Sequence, residues 1–405
     1  MLNQRNKKMK KSNFDFLMVL GFILFFASCK DESNDSIDEE TNKAKITFKK
    51  DSVLKNQDFD TIIDNKKVSL YWIESDSIKV AFTNYGGRIA GLWVPDKNGE
   101  MTDVVVGMSS IDGFINSTEP YFGATIGRVG NRIAKGKFSI DGIEYSAPRN
   151  NGENSLHGGK KGFQYVVWDA EKPDKKTLVL KYISEDMEEG FPGNLEVTVT
   201  YSVDKDQSLK MEYRATTDKK TPVNLTNHAF FNLNGEGSGS ILNHQVKFFA
   251  KKFTPVDKGL IPTGELRNVQ ETPFDFTEFH KIGERINTEN TQLEYGKGYD
   301  HNFVLDENTT DDLMHAAVVI GDESGIKMDL FTEEPGIQFY SGNFMEGKNE
   351  FKSGAADEFR TAFAIETQHF PDAPNQENFP SIILNPGDEY HTVSKYRFSI
   401  AELEN

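Results

Sequence analysis

The strongest constraint on this chain's fold is the rarity of long helical periodicity. From Ile46 onward it runs in short β-type stretches. Residues 68–73 (VSLYWI), 78–82, 195–201, 209–213 and 246–249 alternate in polarity or are rich in β-branched residues. Turn formers lie between them: Asp96-Lys-Asn-Gly99, Asn150-Asn-Gly152 and Pro386-Gly387. Asp141-Gly142, set between residues 137–140 and 143–145, predicts a two-residue hairpin. Only residues 275–282 (DFTEFHKI) leave room for a helical turn or two. The pattern predicts an all-β fold, a large β-sandwich with few short helices. No Pro/Gly/Ser linker divides residues 46–405, which are expected to form a single domain.

The first residues follow different rules. Arg5, Lys7, Lys8, Lys10 and Lys11 form a basic head, and residues 16–27 are an apolar run of 12. That is short for a membrane span and right for a signal-peptide core. The run ends in Phe-Ala-Ser-Cys, at the chain's one cysteine, Cys29. This resembles a bacterial lipobox. Residues 1–28 are therefore expected to be a lipoprotein signal peptide and Cys29 the lipidated residue. A plain secretory signal is the alternative, and Met9 can serve as the start in place of Met1. Lys30-Asp31-Glu32 resembles a surface-export signal of some Gram-negative lipoproteins. Residues 29–45 read as a flexible acidic tether. The expected location is lipid-anchored in the outer membrane, periplasmic or surface-exposed.

The net charge is −17 over 405 residues, and removing residues 1–28 takes away five basic side chains and one acidic one. Such a surface repels nucleic acid and anionic lipid. The expected partner is a small molecule, with membrane contact only through the anchor. Oligomeric state is not legible, and a monomer is the expectation. With one cysteine no intrachain disulfide forms, so stability rests on the core.

Several polar groups sit oddly in apolar sequence. Phe363-Ala-Ile-Glu366-Thr-Gln-His-Phe-Pro places a carboxylate among core formers. Read as a strand, Ala364, Glu366 and Gln368 share one face and Phe363, Ile365 and Thr367 the other. His369 then points away from Glu366. In Asn224-Leu-Thr-Asn-His228-Ala-Phe-Phe, read as one strand, Asn224, Thr226, His228 and Phe230 share a face. Glycines follow His157 in Leu-His157-Gly-Gly. Asn131-Arg132 offers a bundle of donors, Asp300 enters a strand from a Gly-rich turn, and Gln338 shares a strand face with Tyr340. Each has an ordinary reading alone: a satisfied core histidine, a turn aspartate, a salt-bridged arginine, an edge strand. Together they suit a neutral polyol with an acid and a base to spare. Residues 123–130 fit neither nucleotide-loop spacing.

The motifs GRVGNRI, NSLHGG, NLTNHAFFNL, TPFDF, GYDHNF, PGIQFYSGN and ETQHFPDAPNQENFP, in that order, resemble the aldose 1-epimerases, or galactose mutarotases, from about Ile46 to the C-terminus. The resemblance implies a β-sandwich with the sugar in a cleft. It implies His228 as general acid, Glu366 as general base, and His157, Asn131, Arg132, Asp300 and Gln338 as substrate-binding residues. Gly130 stands where many relatives carry Ala.

The implied reaction interconverts α and β anomers of free aldoses such as galactose and glucose. A base takes the C1 hydroxyl proton, an acid protonates the ring oxygen, and the opened aldehyde turns and recloses. Nearby carboxylates, Glu366 and Asp300 among them, are expected to favour imidazolium at His228. No cofactor is called for, and the sequence shows neither a H-E-x-x-H motif nor a close His pair, so no metal is expected. Two rival readings remain: a sugar-binding lipoprotein without turnover, and a glycoside hydrolase using Asp300 and Glu366. The preferred aldose cannot be read.

Overall fold

Two large antiparallel sheets face each other across an apolar core. The computed structural model describes residues 54–402, without 307, 308, 311 and 312. The expected signal peptide (1–28), Cys29 and the tether (29–45) lie outside the described residues.

The larger sheet has ten strands. Its order is Asp169–Glu171, Thr177–Ser184, Leu195–Val203, Ser208–Thr217, Tyr390–Ile400, Ile326–Thr332, Leu313–Ile320, Gln245–Phe248 and His280–Lys281, with Thr309–Thr310 beside Leu313–Ile320. The strands that matter for function are shorter. They are β1 (Ala124–Ile126), β2 (Thr226–His228), β3 (Phe230–Phe231), β4 (Asp300–Val304), β5 (Gly336–Tyr340) and β6 (Phe363–Gln368). The six-stranded sheet runs β3, β6, β5, β4, then Lys252–Phe253 and Arg267–Asn268, and β1 pairs with β2 alone.

Strand alternation explains why this second sheet carries both core and site. Phe303, Ile337, Phe339, Phe363 and Ile365 join the main core with Phe248, Met328 and Phe398 of the larger sheet. Phe248 meets Phe303 at 4.8 Å and Phe339 at 5.2 Å between ring centroids. Each such ring contributes about 1.5–3 kcal/mol by leaving water. The intervening residues, Asp300, Gln338, Tyr340 and Glu366, point to the opposite face. β5 has partners on both sides, so it is an interior strand rather than an edge. The Asp141-Gly142 hairpin forms as expected, joining Lys137–Ile140 to Ile143–Ser146.

Three local expectations are corrected. Residues 275–282 form no helix. Phe276 and Ile282 drop into the core, and His280–Lys281 becomes an edge strand beside Gln245–Val246. The short helices lie elsewhere. In α1 (Ile111–Asn116), Ser110 caps by accepting from the Gly113 N–H, and in α2 (Thr291–Gly296), Asn290 accepts from the Gln292 N–H. The run 68–73 breaks at Ser69, whose N–H donates to the Asn84 side chain at 2.9 Å. The run 224–233 is likewise not one strand. Asn227 Oδ1 accepts from the Ala229 N–H at 2.9 Å, and the chain passes there from β2 into β3, which belong to different sheets.

Candidate active site

The site grows from three places where the chain brings polar groups to the outer face of β4–β5–β6. In the first, Gln338 and Glu366 are direct cross-strand neighbours, as are Asp300 and Tyr340. The Gln338 amide donates to Asp300 Oδ1 at 2.6 Å, and Arg132 Nη2 lies 3.8 Å from Asp300 Oδ2. Burial raises the Asp300 acid; Arg132 and the Gln338 hydrogen bond oppose it. This hydrogen bond orients the Asp300 carboxylate, which lines the cleft.

The second place is the segment 127–133, which ends in the two-residue strand Arg132–Ile133. Asn131 takes φ 59° and His157 takes φ 49°. The two residues clasp each other. The Asn131 N–H donates to His157 Nδ1 at 3.1 Å, and the His157 N–H donates to the Asn131 carbonyl at 3.0 Å. Because Nδ1 accepts, neutral His157 carries its proton on Nε2. Burial, then the neighbouring His228 and Arg132, push His157 well below the ordinary imidazole value, so it stays neutral. Gly158 follows at φ 84°, and a Cβ there would collide with the Gly127 carbonyl. Gly158→Ala is expected to lose at least about 1–3 kcal/mol of stability, read as a fall in melting temperature, and to weaken sugar binding by displacing His157.

The third place is the end of β2. His228 sits between aromatic rings: Phe230 stacks at 4.8 Å, Tyr121 at 5.6 Å, and His157 meets it edge-on at 5.2 Å. Its Nε2 lies 3.5 Å from Glu366 Oε1. His228 is 5% exposed and Glu366 2%. Glu366 Oε2 and His228 Nδ1 are buried without a hydrogen-bond partner among the described residues. Burying such groups unpaired is costly, and that cost is tolerated where a ligand completes them. Around them lies an open cleft of about 550 Å³, bounded by Tyr121, Asn131, Arg132, His157, His228, Asp300 and Glu366.

The expectation that carboxylates hold His228 as imidazolium is overturned. Burial between the rings lowers His228 to about 3. Burial raises Glu366 well above the carboxylate range, reinforced by Asp300 and Glu119 and opposed by Arg132. Burial thus favours the neutral form of both groups, a protonated carboxyl beside a neutral imidazole. Such a pair holds the same one proton as an imidazolium–carboxylate pair would.

Sequence, geometry and comparison meet here. The sequence profile of the aldose 1-epimerase family matches residues 69–397. The chain belongs to the aldose 1-epimerase family. It is 42% identical to the galactose mutarotase of Bos taurus over 334 residues, covering 82% of this chain and 95% of that one. It is 34% identical to the aldose 1-epimerase of Escherichia coli K12 over 325 residues, covering 80% and 92%. Among solved structures, a GalM/aldose epimerase homologue from C. elegans superposes with TM-score 0.76 at 30% identity, over 83% of this chain and all of that one. A galactose 1-epimerase from Lactobacillus acidophilus NCFM shares the fold, with TM-score 0.74 at 24% identity over 85% and 98%. As an aldose 1-epimerase the chain is an isomerase.

The epimerase cleft also contains what the sequence did not show, a close His pair. His157, His228 and Glu366 offer ligand atoms within 4.8 Å of one another. Two histidines and a carboxylate are a plausible donor set for a divalent ion. The clasp with Asn131 argues against one. A histidine that ligates through Nε2 donates through Nδ1, whereas His157 Nδ1 accepts from a backbone N–H. Activity is therefore expected to survive prolonged EDTA treatment unchanged; loss restored by a divalent ion would contradict this.

Tyr121 and Glu119 do not stand out in the sequence. Phe230 does meet His228, but by ring stacking across the break between β2 and β3 rather than on one strand face. Glu119 precedes a proline in a polar loop, where the default reading is a solvated side chain.

Proposed function

We propose that this protein interconverts the α and β anomers of a free aldose, galactose or glucose, with Glu366 as general base and His228 as general acid. The observation that carries this is the contact between His228 Nε2 and Glu366 Oε1, buried at the edge of a polar cleft. A pyranose entering there places its C1 hydroxyl at Glu366 and its ring oxygen at His228. The O1–H donor favours carboxylate, and the O5 acceptor favours a proton on Nε2. The shared proton thus moves into working position when the sugar binds. Ring opening transfers the O1 proton to Glu366 and the His228 proton to O5. After rotation about C1–C2, the reverse transfers close the other anomer.

His157, a neutral Nε2–H donor, and Asn131, Arg132 and Asp300 hold the hydroxyls, with Gln338 fixing Asp300. Positioning of this kind supplies much of the rate when acid and base need no search. Polarimetry on freshly dissolved α-galactose and α-glucose tests the proposal. Acceleration of the approach to constant rotation is expected, and binding without acceleration would favour the sugar-binding rival.

We further propose that Cys29 is lipidated and anchors the protein to the outer membrane, on the strength of the N-terminal pattern alone. Cys29→Ser is expected to abolish fatty-acid labelling and move the protein to the soluble fraction.

A further inference from the structure

The cleft holds a carboxylate that this mechanism does not use. Glu119 lies on the loop between α1 and β1 and lines the cleft with Tyr121, Tyr340, Asp300 and Glu366. Its Oε1 accepts from the Tyr121 N–H at 3.2 Å. Its Oε2 has no hydrogen-bond or ion-pair partner among the described residues, and it is not one of the sealed, unpartnered atoms that include Glu366 Oε2. It therefore remains open to a ligand. Asp300, by contrast, has both oxygens engaged, by Gln338 and Arg132.

The loop around Glu119 is fixed before any sugar arrives. The Thr118 N–H donates to Asn349 Oδ1 at 2.9 Å, and the Asn349 amide returns to Thr118 Oγ1 at 2.9 Å. Arg88, fully buried, donates to the Pro120 carbonyl at 2.9 Å. Arg88 is thus held by backbone carbonyls and forms no salt bridge with Glu119. A pinned acceptor with one free oxygen on a polyol cleft is a group built to read a hydroxyl. Glu366 and His228 already serve the anomeric hydroxyl and the ring oxygen in the proposed mechanism. What remains for Glu119 is a hydroxyl elsewhere on the ring.

We infer that Glu119 is a specificity-determining residue whose free carboxylate oxygen accepts a hydrogen bond from one non-anomeric hydroxyl of the bound aldose. The inference rests on the proposed aldose activity. A site that hydrogen-bonds a substrate hydroxyl rejects the analogue lacking it, because its own acceptor is left unpaired. Burial raises the Glu119 acid to about 7, so a fraction is ionised at neutral pH, and a hydroxyl donor stabilises that form.

The test pairs Glu119→Gln with a set of monodeoxy aldoses, each lacking one hydroxyl, followed by polarimetry or anomer-exchange NMR. Glu119→Gln is expected to raise KM for the parent aldose by about 10–100-fold, with kcat within about threefold. For one deoxy sugar, the KM of parent enzyme and variant should coincide. A purely structural Glu119 would raise KM by the same factor on every sugar, and that uniform rise, or no rise at all, overturns the inference. Should the variant not fold, a crystal structure of the parent protein with bound aldose decides. A non-anomeric hydroxyl oxygen about 2.5–2.7 Å from Glu119 Oε2 is expected, and none within hydrogen-bond reach overturns it. If the parent protein accelerates no aldose at all, the activity proposal falls and this inference with it. Acceleration with an unchanged Glu119→Gln KM removes only the inference.

Discussion

Glu366→Gln is expected to lower kcat for anomer interconversion by about 10²–10⁴-fold while leaving a folded protein that still binds sugar. The amide matches the carboxyl in shape, so neither β6 nor its register with β5 is disturbed. It cannot take a proton from O1. KM is expected to change far less than kcat, because Asn131, Arg132 and Asp300 are untouched. The same variant makes a second prediction, about stability. Burial raises the Glu366 acid above its unfolded value of about 4.3. A group raised in this way contributes stability below its unfolded pKa and loses that contribution as pH climbs toward the folded value. The amide of the variant has no proton to lose. Glu366→Gln should therefore melt higher than the parent at pH 8, with the advantage shrinking toward pH 5. An active site that is less stable than its inert version is the expected trade-off for a buried base.

His228→Asn is expected to cause a loss of activity of similar size, with the opposite stability signature. Its ring is held neutral between Tyr121 and Phe230 and titrates at about 3, below the unfolded value of about 6.5. A group lowered in this way contributes stability that is present above the unfolded pKa and lost as pH falls toward the folded one. His228→Asn should therefore melt higher than the parent near pH 4–5 and show no gain from this source above about pH 7. The parent enzyme inherits both shifts. Its active form carries one proton on the pair, lost only above the ordinary carboxylate range and doubled only below the ordinary imidazole range. The His228 ring, followed by NMR, should show no titration near pH 6.5. A His228 midpoint at pH 6.5 would show that the ring titrates as if free.

Much of this was legible in the sequence because strand alternation is a local rule. Ala364, Glu366 and Gln368 opposite Phe363 and Ile365 follow from the pleat alone, as does the pairing of Gln338 with Tyr340 on one face. His369 was rightly kept apart from Glu366; it pairs instead with Glu334 at 2.6 Å. What local pattern missed was set by distant partners. Residues 275–282 have a helix-like spacing of apolar residues, yet Gln245–Val246 recruits His280–Lys281 as a strand. The His157–His228 contact joins residues far apart in sequence through Asn131, whose left-handed backbone no composition argument supplies. The protonation of the pair escapes the sequence for the same reason. From sequence, charges near His228 could be named, but the two rings that desolvate it belong to Tyr121 and Phe230, and only the fold brings Tyr121 there.

The central claim is that Glu366 and His228 act as one proton-holding unit across the pyranose. The most direct test is the cycle of Glu366→Gln, His228→Asn and the double variant, followed by polarimetry on freshly dissolved α-galactose. The double variant is expected to be no slower than the worse single variant, since removing either member disables the unit. Losses that multiply in the double variant would mean two independent catalysts and would contradict it.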